Sequence, residues 1–210
     1  MNFTSPKRNE KLWQIAERFG SDKATPNRTN NLCYLSIYEN YFEKFKYDSI
    51  NILEIGVRNG PSVRTWKQYF PLATIFGVDI DERCKQHEEE RVHITIGDAT
   101  EKTTIDKINP SHINYDIIID DGSHVNEDII KTYNLLWNKL SSGGIYIIED
   151  LYNSYGSTDG NILKDSIGIP QNKREQINPF FNSIIKNVDT PSNETLSVHF
   201  WDSICVIIKA

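Results

Sequence analysis

The sequence predicts an α/β fold: a doubly wound, mostly parallel β-sheet with helices on both faces, closed by an antiparallel hairpin at its C-terminal end. Three observations predict it. Short apolar runs alternate with helix-patterned stretches between residues 50 and 148, as expected of parallel strands buried on both faces. Acidic residues follow these runs, at Asp79, Asp98, Asp120-Asp121 and Glu149-Asp150. The last two β-rich runs are separated only by Asp202-Ser203, a spacing that marks a hairpin.

Taken in chain order, Leu12, Trp13, Ile15, Ala16 and Phe19 fall at helical spacing, and Gly20, Ser21 and Asp22 punctuate the end of that helix. A second helical stretch runs from Tyr34 to Phe45, where Tyr34, Tyr38, Tyr41, Phe42 and Phe45 are expected to pack into the core. Ile50–Ile55 is a short strand and Ser62–Phe70 a helix. Thr74–Val78 and Val92–Ile96 are strands, and Tyr115–Ile119 is a buried strand leading into Asp120-Asp121. Asn126–Leu140 reads as an amphipathic helix and Gly144–Ile148 as a strand ending at Glu149-Asp150. Leu196–Trp201 and Ile204–Lys209 form the hairpin. The stretch 151–193 carries Gly156, Gly160, Gly168, Pro170, Pro179 and Pro191 and is expected to be irregular, the kind of long connection that binds substrate or forms a lid. The expected organisation is one domain over 1–210, with a helical cap over 1–48 and a substrate-binding insertion over 151–193.

A chain of 210 residues suits one domain with a full core. Its net charge of -6 lacks the broad positive field that nucleic-acid binding needs, so no nucleic-acid partner is expected. Cys33, Cys84 and Cys205 are odd in number and form no CxxC pair, which argues against a disulfide framework or a zinc site. Residues 1–19 carry charges throughout, and no apolar run reaches the length of a membrane span. The expectation is a cytoplasmic protein with reduced cysteines and no membrane partner.

Leu53-Glu54-Ile55-Gly56-Val57-Arg58-Asn59-Gly60 follows a strand and precedes a helix. A chain turning sharply there can bring its backbone close to a ligand at Gly56, Asn59 and Gly60, and a carboxylate at Glu54 can accept from an ammonium group. Asp79 ends the next strand, where an acid can accept from both hydroxyls of a ribose. Asp98 follows the third, where an acid can accept from an adenine amino group. Together these read as a site for S-adenosylmethionine. An NAD site uses similar parts, but Arg58 stands where its central glycine would fall, and the closing hairpin matches class I methyltransferases better than NAD dehydrogenases.

Asp120-Asp121-Gly122-Ser123-His124 and Glu149-Asp150 follow strands that are neighbours in a parallel sheet. Four carboxylates at one sheet edge repel unless something positive is bound, and hard divalent cations prefer such oxygens. Asp121, Glu149 and Asp150 are therefore expected to hold Mg²⁺ or another divalent cation, with Asp120 nearer the cofactor. His124 is the expected general base, because an imidazole with an ordinary pKa of about 6.5 can take a proton from a hydroxyl near neutral pH.

The strings Leu53-Glu54-Ile55-Gly56-Val57, Ile118-Ile119-Asp120-Asp121-Gly122-Ser123-His124 and Ile147-Ile148-Glu149-Asp150-Leu151 resemble the macrolide-sugar O-methyltransferases of the mycinamicin and tetracenomycin pathways. Gly20-Ser21-Asp22-Lys23 and Tyr38-Glu39 are similar to the N-terminal signature of that group. The resemblance implies a Rossmann-like, seven-stranded sheet of order 3-2-1-4-5-7-6. It also implies Mg²⁺-dependent methylation of a sugar hydroxyl, with Asp121, Glu149 and Asp150 as metal ligands and His124 as base. By the same resemblance Asp22 and Lys23 lie near the cofactor. After Asp150 the chain reads Leu151-Tyr152-Asn153-Ser154-Tyr155 where the family often has Leu-His-Thr-Ser-Tyr. The acceptor is thus expected to be a small molecule, a sugar or sugar nucleotide, of unspecified identity. A homo-oligomer is compatible with this reading. Two other classes use the same parts: an enzyme of different chemistry resembling the cephalosporin-hydroxylase-like group, and a non-catalytic module that binds S-adenosylmethionine.

Overall fold

A computed structural model gives the structure of residues 10–25, 33–108, 113–155, 172–190 and 194–210. Seven strands form one sheet: β1 (Asn51–Ile55), β2 (Thr74–Asp79), β3 (Val92–Ile96), β4 (Tyr115–Asp120), β5 (Leu140–Ile148), β6 (Thr195–Trp201) and β7 (Ile204–Lys209). Their order is β3-β2-β1-β4-β5-β7-β6, and only β7 runs against the others. The seven-stranded sheet with its closing hairpin is the one expected from the sequence.

The strands place alternate residues on opposite faces, as a period of two requires. Ile52, Ile117, Ile119, Ile145 and Ile147 face one apolar cluster, whereas Leu53, Ile118, Tyr146 and Ile148 face the other. Helices α1 (Leu12–Phe19), α2 (Tyr34–Phe42) and α3 (Pro61–Tyr69) cover the first face; α4 (Lys102–Ile108), α5 (Asn126–Leu136) and α6 (Arg174–Val188) cover the second. Each fully buried Ile or Leu contributes on the order of 1.5–3 kcal/mol, which is why strands this short hold together.

Helix α1 buries Leu12, Ile15 and Ala16, but Trp13 stays exposed, one position off the apolar stripe. Gly20 ends α1 in the left-handed conformation (φ 72°), with its N–H on the Glu17 carbonyl. A 3-10 turn over Asp22–Ala24 follows. Helix α2 stops at Phe42 and tightens into a 3-10 turn over Glu43–Phe45. Likewise α5 stops at Leu136, and after a 3-10 turn over Trp137–Lys139 strand β5 starts at Leu140 rather than Gly144. The β4–β5 register slips between Tyr115/Ile117, where Gly143 (φ 73°) lets the strand bulge.

The largest departure from the sequence expectation is α6, a helix of 15 residues inside the stretch expected to be irregular. Its buried residues Ile177, Phe180, Phe181 and Ile184 follow an i, i+3, i+4, i+7 pattern. Pro179 obscured that pattern, yet it sits on the exposed side of the helix. Gly156, Gly160, Gly168, Pro170 and Pro191 lie outside the described residues. Among the described residues no helix is long and apolar enough to cross a membrane, and Cys33, Cys84 and Cys205 are free and buried.

Candidate active site

The carboxyl ends of β3, β2, β1, β4 and β5 lie in a row, and the sheet ladder continues one residue past β3, β1, β4 and β5. Gly56 N–H donates to the Val78 carbonyl at 2.8 Å, Asp121 N–H to Ile55 at 3.0 Å and Glu149 N–H to Asp120 at 3.0 Å. Every loop thus leaves the sheet from a fixed point, and the acidic residues that follow are held at one edge.

Gly56 is what permits that approach. It sits at φ 87°, and a Cβ there would run into the Asp121 backbone carbonyl. Two adjoining clefts meet at Gly56, Asp79 and Gly122. The first, about 280 Å³, has an apolar floor of Ile55, Val78, Ala99 and Ile129, with Asp98, Asp120 and Asp128 on its walls. The second, about 600 Å³, is polar and lined by Ser21, Asp22, Lys23, Asn59, Asp121, His124 and Asp150 among others.

Asp79 belongs to both clefts. Its Oδ2 accepts from the Val57 and Arg58 N–H groups at 2.9 Å each, and its Oδ1 from Asp81 N–H at 2.9 Å. Burial alone would raise its pKa; the backbone donors of Arg58, Asp81 and Val57 outweigh burial and hold it below the usual carboxylate value. Asp98 Oδ1 accepts from Thr100 N–H at 2.8 Å. Asp120 is buried beneath the first cleft, and burial pushes its pKa up to about 7. Asn59 lines the second cleft.

Two residues expected to touch a cofactor lie behind the walls. Gly60 starts α3 in the left-handed conformation (φ 76°) and backs onto the His87 ring; it lines neither cleft. Glu54 is fully buried below the loop. Its Oε2 accepts from Trp66 Nε1 at 3.0 Å, and its Oε1 faces the Lys23 ammonium, 3.7 Å away. A residue preceding the turn by one strand position points to the sheet face, not along the sheet edge. Burial raises the Glu54 pKa to about 7, despite the opposing pull of Lys23.

Asp121, His124 and Asp150 converge beside the second cleft. His124 Nε2 is 3.8 Å from Asp121 Oδ1 and 3.5 Å from Asp150 Oδ2, and one ligand atom from each of the three lies within 4.8 Å of the others. His124 (φ 57°) and Asp150 (φ 56°) both adopt the left-handed backbone that non-glycine residues avoid. Paired strain of this kind clusters at functional sites. Asn172 helps hold it, since its Nδ2 donates to the His124 carbonyl at 2.8 Å.

Glu149 turns away from this trio. It is buried, and both of its oxygens accept from the Lys23 ammonium at 2.7 Å, while Oε1 also accepts from the Tyr38 hydroxyl at 2.5 Å. Lys23 also donates to Asp121 Oδ2 at 2.5 Å. The positive charge that the acidic edge requires is therefore supplied in part from within the chain. Burial would lower the Lys23 pKa, but Asp121, Glu149 and Glu54 together push it well above its ordinary value. Tyr34 donates to Asp150 Oδ1 at 2.7 Å. Asp22, one residue before Lys23, is exposed and pairs with the exposed Arg58 at 3.1 Å, a contact worth little in water.

Tyr34, Tyr38 and Asn172 were not singled out as site residues from the sequence. The tyrosines carried a usable signal: they are four apart on one helix face, and a buried tyrosine hydroxyl needs a partner. Asn172 carried none, because it reaches the site only through the fold.

No family model matches the chain. Among curated proteins it is 34% identical over 148 residues to the 8-demethyl-8-alpha-L-rhamnosyl tetracenomycin-C 2'-O-methyltransferase of Streptomyces olivaceus, covering 67% of this chain and 38% of that one. It is 34% identical over 126 residues to the mycinamicin VI 2''-O-methyltransferase of Micromonospora griseorubida, covering 56% and 31%. The chain thus spans less than half the length of these relatives. Among solved structures, the MycE methyltransferase of the mycinamycin pathway, in complex with Mg, SAH and mycinamycin VI, superposes with TM-score 0.80 at 24% identity, covering 96% of this chain and 55% of that one. The chain has the class I methyltransferase fold. The same fold is seen in the SAH-bound Podospora anserina methyltransferase PaMTH1, at TM-score 0.61 and 16% identity over 99% of this chain and 91% of that one. Within this methyltransferase fold the two clefts lie at the carboxyl ends of the parallel strands, where such sheets bind their ligands.

Proposed function

We propose that the chain is the catalytic domain of an S-adenosylmethionine-dependent O-methyltransferase that acts, with a divalent cation, on a hydroxyl of a sugar or glycosylated small molecule. The observation that carries the reading is the Asp121–His124–Asp150 group set directly beside a two-part cleft at the strand ends. The two curated relatives are 2'- and 2''-O-methyltransferases by name.

The clefts fit the cofactor in shape and polarity. The apolar first cleft suits a flat adenine, with Asp98 placed to accept from its amino group and Asp120 below it. Asp79, held ionised at the junction, suits the ribose hydroxyls. The polar second cleft suits the amino-acid end, with Gly56 giving close backbone approach and Asp22, Lys23 and Asn59 on its walls. Glu54 and Gly60 support this cleft from behind. When bound, the cofactor supplies an electrophilic methyl group on a sulfonium.

Asp121 and Asp150 present carboxylate oxygens on either side of the His124 imidazole and fit a hard cation such as Mg²⁺. Glu149 completes the acidic set from the buried side. The cation, when bound, lowers the pKa of an adjacent hydroxyl. His124 takes the proton of the acceptor hydroxyl at Nε2, the ring atom that faces Asp121 and Asp150. Tyr34 orients Asp150, and Asn172 fixes the His124 backbone. The segments 1–48 and 151–193, whose described residues Tyr34 and Asn172 bond to Asp150 and to the His124 carbonyl, are proposed to choose the acceptor. The reading does not require a homo-oligomer, and a cytoplasmic setting suits it.

Incubation with S-adenosylmethionine labelled in the methyl group and a panel of sugar nucleotides and glycosides tests the reading. It expects S-adenosylhomocysteine and a labelled acceptor, and a loss of both with EDTA. His124→Ala is expected to lower turnover by a factor of about 10²–10⁴ while S-adenosylhomocysteine still binds by calorimetry. Undiminished turnover in either arm would remove the role assigned there.

A further inference from the structure

The Lys23 ammonium sits where the carboxylates would meet a cation. It lies 2.5 Å from Asp121 Oδ2 and 2.7 Å from each Glu149 oxygen, and Glu54 Oε1 is 3.7 Å away. The side chain is almost wholly buried, with 4% of its surface exposed. Among the described residues, the Glu54 oxygen facing it is buried and has no hydrogen-bond partner. Three acidic side chains thus surround one almost wholly buried ammonium, with Asp121 on the side open to the second cleft.

We infer that Lys23 is a built-in cation that competes with the divalent ion for Asp121 and Glu149, and so sets how tightly the site binds metal. This rests on the metal-assisted reading of the site. Charge is the reason. Both Glu149 oxygens already accept from the ammonium, and Oε1 accepts from Tyr38 as well. A divalent ion reaching the same oxygens would bring like charges within a few ångströms in a poorly screened interior, where repulsion is strong. The ammonium must therefore yield Glu149 and Asp121 Oδ2 in proportion as the metal takes them. Asp121 Oδ1 and Asp150 Oδ2 face His124, and all three residues line the second cleft. Lys23 is in this sense a positioning residue: it holds Glu149 in the buried layer and keeps the carboxylate cluster intact, and it does so at the expense of metal affinity.

The test is Mn²⁺ binding, measured by electron paramagnetic resonance and calorimetry on the purified chain without acceptor. Lys23→Met is expected to bind Mn²⁺ at least about tenfold more tightly than the parent, and its melting temperature is expected to rise more on Mn²⁺ addition. Because Lys23→Met leaves buried Glu149 without its positive partner and can fail to fold, the comparison is repeated on Glu149→Gln. Adding Lys23→Met to that variant is again expected to tighten Mn²⁺ binding, since Lys23 still competes for Asp121. Equal or weaker affinity in both lysine variants, with the parent binding normally, overturns the inference alone. Absence of Mn²⁺ binding in parent and variants alike overturns it together with the metal-assisted reading.

Discussion

The Tyr34 hydroxyl donates to Asp150 Oδ1 at 2.7 Å, while the other oxygen of Asp150 faces His124 at 3.5 Å. Burial and the adjacent Asp150 charge both raise the Tyr34 pKa, so the hydroxyl stays protonated as a fixed donor. One helix of the N-terminal cap thereby orients a carboxylate that follows the fifth strand. Tyr34→Phe is expected to weaken Mn²⁺ binding by about tenfold, the low end of the range for loss of an outer-shell partner, with little change in melting temperature. Calorimetric titration checks this, and unchanged affinity would free Asp150 from any dependence on Tyr34.

Gly56 is expected to be the least replaceable residue of the first loop. Gly56→Ala places a methyl group against the Asp121 carbonyl at a backbone angle of φ 87°. The expected loss is more than about 2 kcal/mol of stability, from overlap and backbone strain together. Binding of S-adenosylhomocysteine should be lost with it. Urea unfolding and calorimetry measure the two effects separately.

Glu54 makes stability depend on pH. Its pKa rises from an ordinary 4.5 to about 7 in the fold, mainly through burial. Between those values the folded chain keeps a proton that the unfolded chain releases, so stability falls as pH rises through that window. Glu54→Gln keeps an acceptor for Trp66 and removes the titration. Its unfolding free energy should vary less between pH 5 and pH 8 than the parent's, by on the order of 2–3 kcal/mol. Parallel curves for the two proteins would show that Glu54 does not titrate in this range.

Pro179 lies exposed within α6, where it removes the N–H that would donate to the Glu175 carbonyl one turn back. Pro179→Ala should therefore raise stability by about 1–3 kcal/mol. A higher midpoint in thermal unfolding is the expected result, and a lower one would show that the proline ring packs against something that alanine cannot replace.

Much of the architecture was legible because it depends on local pattern. The buried strands from Ile52 to Ile148 announce themselves through β-branched runs that end in acids, and the hairpin through the two residues between Trp201 and Ile204. Helix α6 was not legible, because Pro179 interrupts an apolar stripe whose meaning depends on which face is exposed. The site divides in the same way. Asp79, Asp98, Asp121, His124 and Asp150 could be placed at strand ends from the sequence, since a strand fixes where its following loop begins. Glu54 and Gly60 could not be placed behind the wall, because their direction depends on the facing Trp66 and His87.

By itself the sequence determined a doubly wound sheet with its acids gathered at one edge, since residue period and strand ends follow from local sterics. Only the tertiary structure decided how those acids are shared. It brought Lys23, from a turn far away in the chain, between Asp121 and Glu149, and it left Asp150 and His124 facing the cleft. That division is electrostatic and long-range. Whether a carboxylate meets an ammonium of its own chain or remains available to a ligand depends on distances between segments 98 and 126 residues apart, which no local pattern records.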